Sequence, residues 1–345
     1  MKRKLWLWGG GGIVLLLLSV LVSLGIGAVS VPVPHIAGIV VSHIPGLGEH
    51  IAKTWPEQSE QIIWRVRLPR VVLGMLIGAA LSMAGAAFQG ILRNPLADPY
   101  TLGVSSGASV GAAFLIYFGL QFSFFGEWTL PVVAFLTALA ALAVVLRMAQ
   151  VDGKWQMETL ILSGTVMQAF LGAVVAFFIA MSKNVINDIV YWLMGSLALR
   201  GWAYPGLIAP YVGLGFIVLL ANAKALNLFV LGERQAAHLG VNVERTKLVV
   251  LVTGAMLTGA SVSVAGIVGF VGLIVPHLVR LLSGPDYRLL IPLSALGGAV
   301  YVLIADTIAR TLLSPTEIPI GVVTAFLGAP FFMMLLRKHK RSLGR

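Results

Sequence analysis

The chain has 345 residues, of which 58% are hydrophobic and only 11% carry a charged side chain. Soluble domains contain about 25% charged residues, and a soluble chain of this length could not bury so much apolar surface, so the class of water-soluble proteins is excluded. The net charge is +11, but the basic residues form no continuous patch, which argues against a nucleic-acid-binding protein. The chain has no cysteine, which excludes disulfides, thiolate metal sites and cysteine nucleophiles.

Long windows without any ionised side chain alternate with short charged segments along the whole chain. A helix needs roughly 20 apolar residues to cross a hydrocarbon layer of about 30 Å, and its backbone must be hydrogen-bonded within the lipid. The windows therefore predict an all-α polytopic membrane protein with about ten transmembrane helices, which form a single domain over 1–345. The predicted spans are 5–28, 69–91, 102–120, 129–147, 159–182, 204–221, 247–263, 266–282, 289–311 and 319–336.

The first span has two interpretations. Three basic residues, Lys2 to Lys4, precede an apolar run, as in a cleaved signal peptide with its cleavage site near Gly27 and Ala28. The uncharged stretch continues well beyond a typical signal core, so a retained first span is favoured. The prolines and glycines that follow, Pro32 to Gly46, indicate an irregular external segment.

The orientation follows from the distribution of Lys and Arg residues. With the N-terminus inside, 17 of the 24 Lys and Arg residues lie on the cytoplasmic side. Cytoplasmic loops of membrane proteins carry an excess of Lys and Arg, so both termini are predicted to be cytoplasmic. Arg65, Arg67 and Arg70 then form a basic cluster on the external side, where it is expected to be exposed.

Two stretches of sequence interrupt the helical pattern. The first, 94–99, reads Asn-Pro-Leu-Ala-Asp-Pro, and small polar residues follow it into the third span. The second contains Gly266, Gly269 and Gly272 and predicts a tight external turn at 262–266. Irregular backbone at membrane depth must face protein or water, so these breaks indicate either structural kinks or a functional path.

Small residues are dense in the second span, where Gly74 and Gly78 form a Gly-x-x-x-Gly pair. Such a pair lets two helix backbones approach closely. Packing within the chain is favoured over a contact between subunits.

Few polar groups in the spans could carry chemistry. Asp306 and Arg310, four residues apart in the ninth span, are placed to form an ion pair on one helix face. A His-Glu-x-x-His motif and a Gly-x-x-x-x-Gly-Lys-Ser/Thr phosphate loop are both absent from the sequence. We therefore expect neither a hydrolytic metal site nor ATP hydrolysis by this chain, and no metal ligands are assigned.

The longest cytoplasmic connection, 222–247, is a candidate coupling segment. Glu233, Ala236, Ala237 and Gly240 lie within two helical turns in it. A short helix with small residues on its surface can insert into a groove of a soluble partner. The alternative is a solvated loop at the membrane surface.

A series of motifs in fixed order covers about residues 60–336. Together they resemble the permease family of ABC importers for ferric siderophores, haem and cobalamin. The motifs are Arg67-Leu68-Pro69-Arg70, Gly85 to Gln89, Asn94-Pro95-Leu96-Ala97-Asp98-Pro99, Leu102-Gly103-Val104-Ser105-Ser106-Gly107, Leu239-Gly240-Val241, Gly269-Phe270-Val271-Gly272-Leu273 through Pro276-His277, Ala305-Asp306, Glu317-Ile318-Pro319-Ile320-Gly321 and Gly328-Ala329-Pro330.

The resemblance implies an assembly in the bacterial cytoplasmic membrane. The permease pairs with a second copy or a sibling, two ATPase subunits lie below it, and a substrate-binding protein docks outside. In this arrangement the chain itself binds no cofactor, because ATP and Mg belong to the ATPase subunits. It is a multi-pass transport subunit and not an enzyme.

The resemblance also assigns candidate residues to four roles. The docking arginines receive Glu side chains of the binding protein, the coupling residues contact the ATPase, and the path residues lie on a short external helix at about 188–199. The gate is placed at 156–159, where the charge of Glu158 departs from expectation. The residues are Arg67, Arg70 and Arg310 for docking, Glu233, Arg234, Ala236, Ala237 and Gly240 for coupling, Tyr191, Trp192 and Met194 for the path, and Met157 and Glu158 for the cytoplasmic gate.

The predicted function is therefore that of an importer permease for a bulky metal chelate, with a ferric siderophore as the first choice and cobalamin or haem as alternatives. Three other classes remain open. An ion-coupled secondary transporter would need no ATPase, an exporter or channel would need no docking rim, and an intramembrane enzyme would need a catalytic dyad or metal cluster.

Overall fold

The computed structural model describes residues 2–27, 29–46, 48 and 52–343, and this part of the chain is predominantly helical. A π-helical turn at Ile62–Arg67 joins α3 to α4, and 3-10 turns precede α5 and α6. The α-helices are α1 (Lys2–Gly25), α2 (Val33–Ser42), α3 (Glu57–Gln61), α4 (Leu68–Ile91), α5 (Val104–Phe118), α6 (Thr129–Met148), α7 (Met157–Met181), α8 (Ile186–Met194), α9 (Ala203–Ala221), α10 (Ala223–Phe229), α11 (Glu233–His238), α12 (Val243–Ala265), α13 (Val271–Ser283), α14 (Tyr287–Thr311) and α15 (Ile320–Leu343).

Each predicted span coincides with one of these helices. Within the described residues, seven helices are long and apolar enough to cross a membrane, whereas α5, α13 and the apolar part of α15 are shorter. The all-α polytopic architecture is therefore confirmed. The predicted cleavage position near Ala28 falls at the edge of the described residues, because Ala28 itself lies outside them.

The centre of the fold is α4, which packs against α9, α12, α13 and α14. Two of its glycines permit this close approach. A Cβ atom at Gly78 would collide with the carbonyl of Gly298 in α14, and one at Gly85 would collide with the carbonyl of Gly272 in α13. The small residues of α4 therefore serve packing within the chain, which was the favoured interpretation of the Gly-x-x-x-Gly pair.

The two sequence breaks meet inside the fold. The hydroxyl of Tyr100 donates a hydrogen bond of 2.8 Å to the carbonyl of Val268 and accepts one of 3.3 Å from its N–H group. The second break lies later than predicted: α12 continues to Ala265, and α13 begins at Val271. The reason is that Gly266 (φ 70°) and Phe270 (φ 67°) adopt left-handed backbone conformations that end one helix and precede the next.

Two elements of the connections were not predicted. The segment after α1, which is predicted to be external, contains α2, although its prolines suggested irregular structure. The connection between α6 and α7, which is predicted to be cytoplasmic, forms a two-stranded antiparallel hairpin of β1 (Gln150–Val151) and β2 (Lys154–Trp155). Its turn residues, Asp152 (φ 50°) and Gly153 (φ 75°), have the left-handed conformations for which an Asp-Gly turn is well suited.

Candidate functional site

Arg70 is the centre of a buried ion-pair network at the end of α4 that is predicted to be external. Its Nε and Nη2 groups donate hydrogen bonds of 3.1 and 2.9 Å to Asp306 Oδ1 in α14. Its Nη1 and Nη2 groups donate bonds of 2.9 and 3.0 Å to the two carboxylate oxygens of Glu317. Asp306 is only 1% exposed, so the network offsets the cost of removing its charge from water.

Arg310 and Arg67 hold the C-terminal end of α1. Arg310 Nη2 donates to the Ser23 carbonyl and, over 2.8 Å, to the Ser23 hydroxyl. Arg67 Nη1 donates a bond of 2.7 Å to the carbonyl of Leu24, and its Nη2 donates to that of Val29. The last carbonyls of a helix have no partner within the helix and carry a partial negative charge, so two guanidinium groups stabilise this end of α1.

The expected exposure of the arginine cluster is thus wrong for Arg67 and Arg70. Both are buried, as is Arg310, and their guanidinium groups already have partners within the chain. The arginine of this cluster that stays exposed is Arg65. Docking of a binding protein on the buried arginines remains a prediction, and it would require a carboxylate to approach from the side of Glu317 or to displace an internal partner.

The predicted Asp306–Arg310 pair is present, with 3.7 Å between Asp306 Oδ2 and Arg310 Nε. It is the weaker contact of Asp306, because Arg70 approaches to 2.9 Å. The spacing of four residues indicated the Asp306–Arg310 pair, whereas no local sequence signal indicated the Asp306–Arg70 pair.

The predicted path residues lie on and beside a cavity of about 360 Å³. The helix that carries them is Ile186–Met194, shorter than the predicted 188–199. Tyr191 and Trp192 line the cavity, and Tyr191 is 60% exposed. Met194 does not line it, but its carbonyl packs against Gly321 at the start of α15. Other residues that line the cavity are Asp188, Arg200, Glu317 and Pro319.

The predicted gate and coupling residues share one cleft of about 810 Å³ on the predicted cytoplasmic side. Met157 and Glu158, in the first turn of α7, line it together with Glu233 and Arg234 of α11. The remaining predicted coupling residues divide into two groups. Ala236 is buried in the core, whereas Ala237 and Gly240 are exposed.

One residue of this cleft was not singled out from the sequence. Lys247, in the first turns of α12, is 1% exposed and lies 2.6 Å from Glu233 and 3.2 Å from Glu244. A lysine in a charged segment gives no signal of burial, because its partners are brought together only when the chain folds. The only hint was the i, i+3 spacing from Glu244.

Comparison with known proteins decides the family. Residues 15–338 match the FecCD transport family. The chain belongs to this family. The uncharacterized ABC transporter permease protein YvrB of Bacillus subtilis (strain 168) is 46% identical over 319 residues, which cover 91% of this chain and 90% of that protein. The cobalamin import system permease protein of Halobacterium salinarum is 45% identical over 293 residues, which cover 83% of this chain and 76% of that protein.

A solved structure agrees with this assignment. It is described as an inward-facing conformation of a metal-chelate type ABC transporter, and it superposes with a TM-score of 0.81 at 33% identity, covering 95% of this chain and 98% of that one. The FecCD family consists of transport permease subunits. The predictions of a multi-pass permease and of a transport subunit rather than an enzyme are therefore confirmed.

Proposed function

We propose that this FecCD-family chain is the permease subunit of an ATP-driven importer that carries a ferric siderophore across the bacterial cytoplasmic membrane. The observation that carries the proposal is the family match over residues 15–338. It is supported by the structural similarity to a metal-chelate type transporter over nearly the whole chain. Cargo that moves as a complete chelate needs no metal ligands from the permease, and weak, distributed contacts suit a transient pathway.

The proposed topology has ten spans and two cytoplasmic termini. Ten helices coincide with the ten predicted spans, and three of them are shorter than an ordinary span. A short helix can still complete a crossing where irregular backbone is buried by protein, as it is at the contact of Tyr100 with Val268. The excess of Lys and Arg residues on one side supports the orientation.

The proposed assembly contains two permeases, two ATPase subunits that hold ATP and Mg, and one external binding protein. The single chain leaves large apolar side chains exposed on α7, among them Phe170 and Phe177, and on α15, among them Phe326. We assign these faces to the second permease and to the path between the two copies. In that path, Tyr191, Trp192 and Met194 lie near the external mouth, and Met157 and Glu158 lie at the cytoplasmic gate.

The ATPase subunits supply the energy for transport from the cytoplasmic side. The ATPase contacts Glu233, Arg234, Ala236, Ala237 and Gly240, and its closure on ATP moves α11 as a rigid body. The contact residues are of two kinds: exposed Ala237 and Gly240 face the partner, while buried Ala236 anchors the helix. On the opposite side, binding-protein carboxylates approach the arginine network from the side of Arg65 and Glu317.

Cobalamin is a second candidate cargo. The 45% identity to the cobalamin permease of Halobacterium salinarum favours it. Both cargoes are bulky metal chelates, so the same pathway chemistry suits either of them.

Uptake by reconstituted vesicles tests the function and separates the cargoes. The permease is reconstituted with its ATPase and binding protein, and uptake is measured for a panel of ferric siderophores, cobalamin and haem. We expect uptake of a siderophore that requires ATP and is lost when the phosphate-loop lysine of the ATPase is replaced. Uptake by the permease alone along an ion gradient would show a secondary transporter instead, and selective uptake of cobalamin would replace the siderophore as cargo.

A further inference from the structure

We propose that Lys247 is a positioning residue that joins the coupling helix α11 to the start of α7, where the gate is placed. This inference rests on the proposed function, because it assigns a path for the force that the ATPase delivers. The joint consists of the Lys247 ammonium group and its contacts with α11, α12 and β2.

The Lys247 ammonium group contacts three oxygen atoms: it donates two hydrogen bonds and forms an ion pair with Glu233. Its Nζ lies 2.6 Å from Glu233 Oε2 in α11 and 3.2 Å from Glu244 Oε1 in α12. It also donates a hydrogen bond of 2.8 Å to the carbonyl of Trp155 in β2. A lysine ammonium group has three N–H donors, and charge-assisted bonds of this kind are about twice as strong as neutral ones. The lysine therefore has one specific position.

Trp155 is held from two further directions. Glu244 Oε2 accepts a hydrogen bond of 3.1 Å from its backbone N–H group, and its indole Nε1 donates one of 3.0 Å to the carbonyl of Leu146 in α6. Gln156, the next residue, is the N-cap of α7. A displacement of Trp155 is thus passed to the first turn of α7 through one peptide unit.

The other end of the joint is a helix that can pivot. α11 has only six residues, and Gly232 (φ 110°) and Gly240 (φ 86°) flank it with backbone conformations that other residues rarely adopt. It packs against α10 and α12. Within the described part of the chain, the Glu233–Lys247 bond is the ion pair that connects α11 to the rest of the permease.

These contacts give α11 and the hairpin a common mechanical connection across the cleft that they line. A partner that moves α11 moves Glu233, then the Lys247 ammonium group, then Trp155 and the start of α7. Replacing Lys247 leaves the ATPase contacts on α11 intact but removes their connection to the gate. The consequence is uncoupling: ATP hydrolysis continues while transport falls.

A distance measurement on the purified permease tests the joint without any transport assay. The chain has no cysteine, so spin labels can be attached at Gln235→Cys in α11 and Lys154→Cys in β2. Labelled permease diluted with unlabelled permease then reports the distance between these two positions within one copy. We expect Lys247→Met to broaden the distribution of this distance. Glu233→Gln should broaden it too, and it is the milder variant because the bonds of Lys247 to Glu244 and Trp155 remain. Lys224→Gln, which neutralises an exposed lysine of α10, should leave the distribution narrow.

A coupling measurement in the complete importer then tests the role. For Lys247→Met, which changes no residue assigned to the ATPase contact, we expect the number of chelates transported per ATP to fall roughly 2- to 30-fold, the range seen when a residue of a coupling network is removed. ATPase activity should persist. A purely structural residue would lower uptake and ATPase activity in equal proportion, and that result would overturn the joint. An unchanged distance distribution in both Lys247→Met and Glu233→Gln would overturn it too. Failure of the permease to bind any ATPase would refute the proposed function instead, while the distance measurement would still decide the joint.

Discussion

Arg70 Nη1 and Glu317 Oε1 lie 2.9 Å apart and join α4 to the segment between α14 and α15. The two side chains differ greatly in exposure, 10% for Arg70 and 41% for Glu317. Glu317 therefore covers a buried guanidinium group from the solvent side. A carboxylate of a binding protein that is to reach Arg70 has to compete with Glu317.

The first prediction follows from this competition. Glu317→Gln removes the internal competitor and leaves the Arg70 Nη1 group open to an external carboxylate. An exposed ion pair contributes about 0.2–1 kcal/mol, so we expect the binding protein to dock roughly 1.4- to fivefold more tightly. Equilibrium binding to the permease in nanodiscs, at low and moderate salt, measures this change.

The matched control is Glu127→Gln, which removes the same charge from an exposed residue of the connection between α5 and α6. It reports the general gain from a more positive surface. If Glu317→Gln tightens docking no more than this control does, Arg70 does not receive a carboxylate of the binding protein, and its role is structural.

The second prediction concerns the stability of the same network. Asp306→Asn leaves Arg70 and Arg310 without their buried counter-charge. Breaking a buried pair in this way costs about 3–5 kcal/mol, so we expect a large fall in the thermal unfolding temperature of the purified permease. Asp188→Asn, at an exposed position of α8, is the control and should have little effect. Equal unfolding temperatures for the two variants would contradict the network.

The helices of this permease could be predicted from the sequence because each one is determined by its own stretch of apolar residues. A window that lacks charge for the length of a span must be helical in lipid, and the predicted spans coincide with helices for that reason. The Asp306–Arg310 pair could also be predicted, because the two residues are four positions apart on one helix. Arg70 and Asp306 are 236 residues apart, and only the packing of α4 against α14 brings them together.

The two elements of the connections that were not predicted, α2 and the hairpin, also depend on local sequence signals. Pro34 suggested irregular structure after the first span, but it occupies the first turn of α2, where a helix tolerates proline because that N–H group needs no partner. The Asp152-Gly153 pair is a sequence signal for a hairpin turn, and the pattern of apolar spans does not register it. Lys247 could not be recognised as buried, since its contacts with Glu233 and Trp155 arise from the tertiary fold.

The third prediction tests the close packing at the centre of the fold. Gly85→Ala places a methyl group against the carbonyl of Gly272, and relief requires α4 and α13 to separate. Overpacking of this kind costs about 1–3 kcal/mol, so we expect a lower unfolding temperature. Gly213→Ala in α9, where no atom lies within 4 Å of the added Cβ, should be neutral or stabilising because alanine favours helix. Equal stability of the two variants would show that the two backbones are not in contact.

The fourth prediction concerns Gln89, a buried side chain whose role follows from a proline. Pro276 lies within α13 and has no N–H group, so the carbonyl of Gly272, four residues earlier, lacks its usual helical donor. Gln89 Nε2 lies 3.4 Å from this carbonyl and 3.2 Å from that of Leu273, and it supplies the missing donor. Gln89→Leu should lower the free energy of unfolding by about 1–3 kcal/mol, the cost of a buried polar group without a partner.

A double-mutant cycle separates this explanation from a simple loss of packing. Pro276→Ala restores an N–H group that can donate to the Gly272 carbonyl, so Gln89 is no longer needed there. We therefore expect Gln89→Leu to cost less in the Pro276→Ala background than in the natural sequence, by more than the roughly 0.3–0.5 kcal/mol within which independent sites add. Chemical or thermal unfolding of the four purified permeases measures the cycle. Strict additivity would mean that Gln89 stabilises α4 and α13 through its volume and not through the carbonyl that Pro276 leaves open.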